Sequence, residues 1–78
     1  MSLKNTILSV TRRTKNGLTA FQIFDRVSTK LEGSGSATPS YSTVRARIAE
    51  LAQSGDLVPV AVRTDSYTHR SATAFRRS

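Results

Sequence analysis

The chain contains no cysteine, which excludes disulfides, thiolate metal centres and cysteine nucleophiles together. Small secreted scaffolds usually depend on such cross-links, so an intracellular, cytoplasmic setting is expected. There is one histidine, His69, and a metal site needs more ligands than that, so neither a metal nor another cofactor is expected. The same scarcity argues against an enzyme. One histidine and five scattered acids make no Ser/His/Asp set, and the four glycines fit neither a phosphate loop nor a dinucleotide fingerprint. Three phenylalanines and two tyrosines form no stacking platform of the kind that reads single-stranded RNA. No feature points to a small-molecule ligand. The longest apolar run, LVPVAV, is too short to cross a bilayer, so no membrane partner is expected. MSLKNTILSV lacks the apolar core and cleavage site of a signal peptide, and none is expected.

Basic residues are abundant. Twelve Lys and Arg face five Asp and Glu, a formal net charge of +7, with an isoelectric point near 11.2. Arginine dominates the set: Arg12, Arg13, Arg26, Arg45, Arg47, Arg63, Arg70, Arg76 and Arg77. A domain this basic has the electrostatic footprint of a polyanion binder, with excess charge for solubility as the plainer reading. The 78 residues correspond to a single domain, residues 1–78. A chain of this size buries only about 60% of its unfolded surface, which leaves little room for an enclosed active site.

Hydrophobic periodicity divides the chain into helices followed by strands. Leu3, Ile7, Leu8 and Val10 recur at helical spacing, which predicts a first helix over 3–14, with Ser2 as its N-cap and Arg12 and Arg13 at its C-terminal end. Gly17 in KNG is suited to the left-handed stop. LTAFQIF carries a capping box at Thr19 and Gln22 and a hydrophobic staple between Leu18 and Ile23. Ile23, Val27 and Leu31 continue a second helix over 20–31. EGSGSATP then breaks the pattern and predicts a flexible loop over 32–39. In PSYSTVRARIAELAQSGDLV, Ser40 is the cap and Val44, Ile48 and Leu51 are the buried stripe. Arg45 and Arg47 flank that stripe, and Gly55 stops a third helix over 41–54. The remainder alternates. LVPVAVRT, with Val58, Val60 and Val62 on one face, and SATAFRR predict a hairpin over 57–64 and 71–77, with the polar turn DSYTHR between. Pro59 cannot donate to a strand ladder, so its strand must be an edge.

Three pieces of this pattern resemble the winged helix-turn-helix family of DNA-binding domains, and the resemblance covers almost the whole chain. LTAFQIFDRV is similar to the start of the family's second helix. YSTVRARIAELAQSGDLV resembles its recognition helix running into the first wing strand, in the pattern S-T-V-x-x-x-I-x-x-L-x-x-x-G-x-[LV]. THRSATAF resembles a basic hairpin with an aromatic residue in the return strand. The resemblance implies an α+β fold: three helices, then a β-hairpin wing, with a short third strand containing Leu18 before the second helix. It further implies a duplex DNA-binding transcriptional regulator of the small bacterial or phage type, nucleoid-associated in a bacterium. The sequence departs from the family in one place, since its Gly/Ser-rich loop is longer than the three or four residues of a compact helix-turn-helix.

A major groove about 12 Å wide admits one helix, read by side chains near the helix N-terminus. Those positions are Ser40, Tyr41, Ser42, Thr43, Arg45, Ala46 and Arg47. The hydroxyls can reach phosphates or base edges, an Arg can take guanine bidentately, and a small Ala46 lets the helix approach closely. In the wing, Arg63, Thr64, Tyr67, Thr68, His69 and Arg70 are placed to follow the backbone or enter the minor groove. Plainer readings stand beside these. Tyr41 can pack on the hairpin, Thr43 can complete the cap, Arg47 can pair with Glu50, and His69 can be an exposed turn residue. Arg45 is accordingly preferred over Arg47. Arg76 and Arg77 read as a solvated basic tail. A homodimer on two half-sites is compatible with a regulator, and the alternative function is a winged-helix protein–protein interaction module.

Overall fold

The computed structural model describes residues 3–12, 14, 16–64 and 69–78. The readings made for Ser2, Arg13, Tyr67 and Thr68 lie outside the described residues. The elements run α1 (Leu3–Thr11), β1 (Leu18–Thr19), α2 (Ala20–Gly33), α3 (Tyr41–Ser54), β2 (Leu57–Thr64) and β3 (Ser71–Arg77). They make an α+β fold, with three helices and a three-stranded antiparallel sheet ordered β1-β3-β2. This topology is consistent with a winged helix. No helix among the described residues is long and apolar enough to cross a membrane.

α1 stops earlier than its apolar spacing suggests. The Thr11 hydroxyl, buried with its residue, donates to the Ile7 and Leu8 carbonyls at 3.0 and 3.1 Å. The chain then tightens into three-residue turns, Arg12 to Ser9 and Thr14 to Thr11. Arg12 therefore lies past the helix end instead of in its last turn. Such back-bonding by threonine competes with helix continuation. In α2 the capping box forms as the sequence requires. The Thr19 amide donates to Gln22 Oε1 at 3.0 Å, and the Gln22 amide donates to Thr19 Oγ1 at 3.4 Å. α2 extends two residues further than expected and takes Glu32 and Gly33 out of the loop. The hydroxyl of Ser34 and the amides of Ser34 and Ser36 satisfy its last carbonyls at Lys30 and Leu31. α3 opens on Ser40, which accepts from the Thr43 amide, and closes on Gly55 in the left-handed conformation. The Asp56 amide reaches back to Leu51 at 2.9 Å, as a left-handed helix stop allows.

The core lies where the helices meet the sheet. Ile7, Leu18, Ile23, Val27, Val44, Ile48, Leu51 and Leu57 form one buried cluster, and Leu3, Leu8, Phe24, Leu31 and Phe75 pack around it. Each large aliphatic side chain removed from water in this way contributes about 1.5–3 kcal/mol. Leu18 and Ile23, the staple pair, are both in it.

The hairpin corrects one expectation. Val58, Val60 and Val62 do not share a face. The ladder slips by one residue between Pro59 and Ala61, so Val58 pairs with Arg76 whereas Val62 pairs with Thr73. Residues three apart on β3 point to opposite sides of the sheet. The extra residue of this β-bulge is Val60. Leu57 is the buried member of the strand, while Val60 and Val62 are 40% and 71% exposed. Pro59 does sit on an edge strand, because β3 occupies the centre of the sheet.

Gly17 joins the helical and strand layers. Its φ is +80°, and a Cβ there would stand 2.6 Å from Val60 Cγ2, 3.1 Å from the Phe75 carbonyl oxygen and 3.2 Å from Ala74 Cβ. A Cβ on Gly33 would meet nothing within 4 Å. Thermal unfolding should therefore separate two chemically identical changes. Gly17→Ala should cost about 2–4 kcal/mol from the left-handed backbone plus overlap, lowering Tm by roughly 10 °C or more. Gly33→Ala should leave stability unchanged or raise it by about 0.4–1 kcal/mol.

Candidate nucleic-acid interface

The local geometry of α3 follows from its cap and its stripe. With Val44, Ile48 and Leu51 buried, helical periodicity turns Ser42, Ala46, Ala49 and Gln53 outward, and all four are exposed. Three of the four carry small side chains. Ser40 and Thr43 are occupied with each other: the Thr43 amide donates to Ser40 Oγ at 3.3 Å, and the two hydroxyl oxygens lie 3.0 Å apart. Their first role is to close the helix end.

Tyr41 packs, but on α2 and not on the hairpin. Its ring stacks on Phe21 with centroids 4.1 Å apart and planes 10° from parallel, and it meets Phe24 edge-on at 5.5 Å and 81°. Such aromatic pairs contribute about 0.5–1.5 kcal/mol beyond their buried area. The stack fixes the start of α3 against α2 across the Gly/Ser-rich loop, which compensates for the length of that connection.

The two arginines of α3 go to opposite sides of the stripe. Arg47 turns towards α1, where its guanidinium donates to the Glu50 carboxylate, and Lys4 of α1 stands 3.6 Å from the same carboxylate. The hydrogen bond from Arg47, followed by the positive charges of Arg47 and Lys4, holds the Glu50 carboxyl below the usual glutamate range. Arg45 turns towards the hairpin and is exposed; among the described residues it has neither a hydrogen bond nor an ion pair. It lines an open groove of about 630 Å³ between α3 and the start of β3. Arg70 and Thr73 line the opposite wall, and Phe21, Tyr41 and Phe75 contribute aromatic surface.

The remaining wing positions differ in kind. His69 is exposed and has a φ of 56°, a left-handed conformation that turns the chain immediately before β3. Thr64 is exposed at the end of β2, opposite Ser71. Arg63 is committed within the chain: its guanidinium donates to the Gly17 carbonyl at 3.1 Å and to the Asn16 carbonyl. The structure thus brings Arg45 and Arg70 to one groove and takes Arg47 and Arg63 into internal contacts. Sequence reading missed Phe21 and Thr73 as groove residues. Only the wing strand's position beside α3 reveals Thr73, and Phe21 carries a weak signal as an aromatic outside the Ile23–Val27–Leu31 row. The chain matches no protein-family model, no curated protein and no solved structure. What can be said of the site rests on its geometry.

The pairing of Glu50 has a pH signature. A carboxyl whose folded pKa is depressed contributes stability above its unfolded pKa, and that contribution is lost as pH falls through the folded pKa. NMR titration of the Glu50 carboxyl should show a midpoint below the usual glutamate range. In Arg47→Gln the midpoint should move back up, because the largest cause of the depression is gone; an unmoved midpoint contradicts the pairing.

Proposed function

We propose that this protein binds duplex DNA as a transcriptional regulator, offering the outer face of α3 to the major groove and its hairpin to the backbone or minor groove. The observation that carries the reading is that Arg45 on α3 and Arg70 beside β3 line one groove next to the exposed small residues Ser42, Ala46 and Ala49. Fourteen residues of α3 span about 21 Å, enough to lie along a major groove with its small residues against the base edges. Arg45 is the base-reading candidate, because a guanidinium without an internal partner can chelate guanine O6 and N7. Arg70 and the exposed Arg76 and Arg77 supply phosphate contacts. Arg47 and Arg63 are engaged within the chain and are not the candidates for direct contacts.

Fluorescence anisotropy on a mixed duplex should show binding whose log affinity falls with log salt with a slope of about −4 to −5, the value for four to six neutralised phosphates. Arg45→Ala should lose about 1–3 kcal/mol of discrimination between preferred and unrelated sequences, with Tm unchanged. No binding at low salt, or no salt dependence, overturns the proposal. Capture of a protein partner that survives loss of both Arg45 and Arg70 would instead favour an interaction module.

A further inference from the structure

We infer that Arg63 is a positioning residue that straps the hairpin across the sheet and sets the angle at which Arg70 faces Arg45. β2 and β1 are the two outer strands, with β3 between them. Arg63 belongs to β2, yet its guanidinium bonds the carbonyls of Asn16 and Gly17, the residues that lead into β1. The contact spans 46 and 47 positions of sequence and crosses the face of β3.

That face is cleared for the crossing. Arg63 stands opposite Ala72, and the next pair on the same side is Ala61 with Ala74. Three methyl groups leave the guanidinium nothing to climb over. The receiving backbone is equally close, since Gly17 has no space for a Cβ against Val60, Ala74 and Phe75. The bulge at Val60 lies three residues before Arg63. A bulge bends and twists its strand, and a tie placed just beyond the bend selects one bend angle. Arg70 to Thr73 follow that angle and form one wall of the groove that holds Arg45.

Two consecutive carbonyls accepting from one planar fork is a geometry that arginine provides and lysine does not. Charge and strap can therefore be separated. In wild-type protein, NMR should resolve the Arg63 Nη protons from those of the exposed arginines, because two hydrogen bonds slow rotation of the guanidinium. Arg63→Lys keeps the net charge and should shift the amide resonances of Asn16, Gly17 and Ser71–Thr73. The consequence for binding rests on the DNA reading. Arg63→Lys and Arg63→Gln should weaken duplex affinity alike, by about tenfold, the worth of one charge-assisted hydrogen bond.

If Arg63 were a phosphate contact, Lys would bind like wild type and Gln alone would make the salt slope less negative by about 0.9; that pattern overturns the inference. So do averaged Arg63 Nη protons in the wild type, a readout that needs neither DNA nor a variant that folds. Wild-type protein that ignores DNA while showing resolved Arg63 protons would remove the functional proposal and support the strap.

Discussion

The backbone at Gly17 lies against the hairpin with no space for a side chain, and most of the architecture depends on that approach. It brings Leu18 and Thr19 into register with Phe75 and Ala74 on β3, which gives the short β1 its ladder. Thr19 is then held at the position from which its capping box starts α2, and Leu18 faces the core as one half of the staple. The direction of α2 sets where Phe21 and Phe24 stand, and Tyr41 docks on both. A contact between a loop glycine and a wing strand thereby reaches the N-terminus of α3 through a sequence of short-range steps, each satisfied by an identifiable group.

The cations divide into engaged and presented sets. Arg47 and Lys4 share Glu50, Lys30 donates to Ser9 at 2.6 Å, and Arg63 is spent on backbone carbonyls. Exposed ion pairs like that of Glu50 are weak and screened by salt. Glu50 offsets one of the two positive charges that flank it on the α1 side of α3. The side facing the hairpin has no acid among its groove-lining residues.

What could be read from the sequence was local. The capping box of Thr19 and Gln22, the αL stop at Gly55 and the stripe of Val44, Ile48 and Leu51 are encoded within one or two turns of helix, and each formed. The edge position of Pro59 was readable too, because a missing donor forbids a central strand in any fold. The bulge at Val60 was not: the LVPVAVRT pattern looks like unbroken alternation, and the slip sets Val60 beside Gly17, forty-three positions away in sequence. The early stop of α1 depends on a threonine hydroxyl whose choice of acceptor apolar spacing does not encode. Within the candidate site, the division between Arg45 and Arg47 followed from helical geometry. The fate of Arg63 did not, because its acceptors are carbonyls, which every residue carries and no pattern marks.

Among the described residues β2 has a strand partner on one side alone, and Val62 stands on it 71% exposed. In a protein carrying +7, repulsion between copies ordinarily keeps such edges apart. That protection disappears wherever a polyanion neutralises the charge and crowds molecules together. Pro59 has no N–H to offer an incoming strand, and the irregularity at Val60 spoils the flat spacing that strand-to-strand stacking requires. The two features that look like flaws in the wing strand therefore make it a poorer template for an added strand where charge no longer holds copies apart.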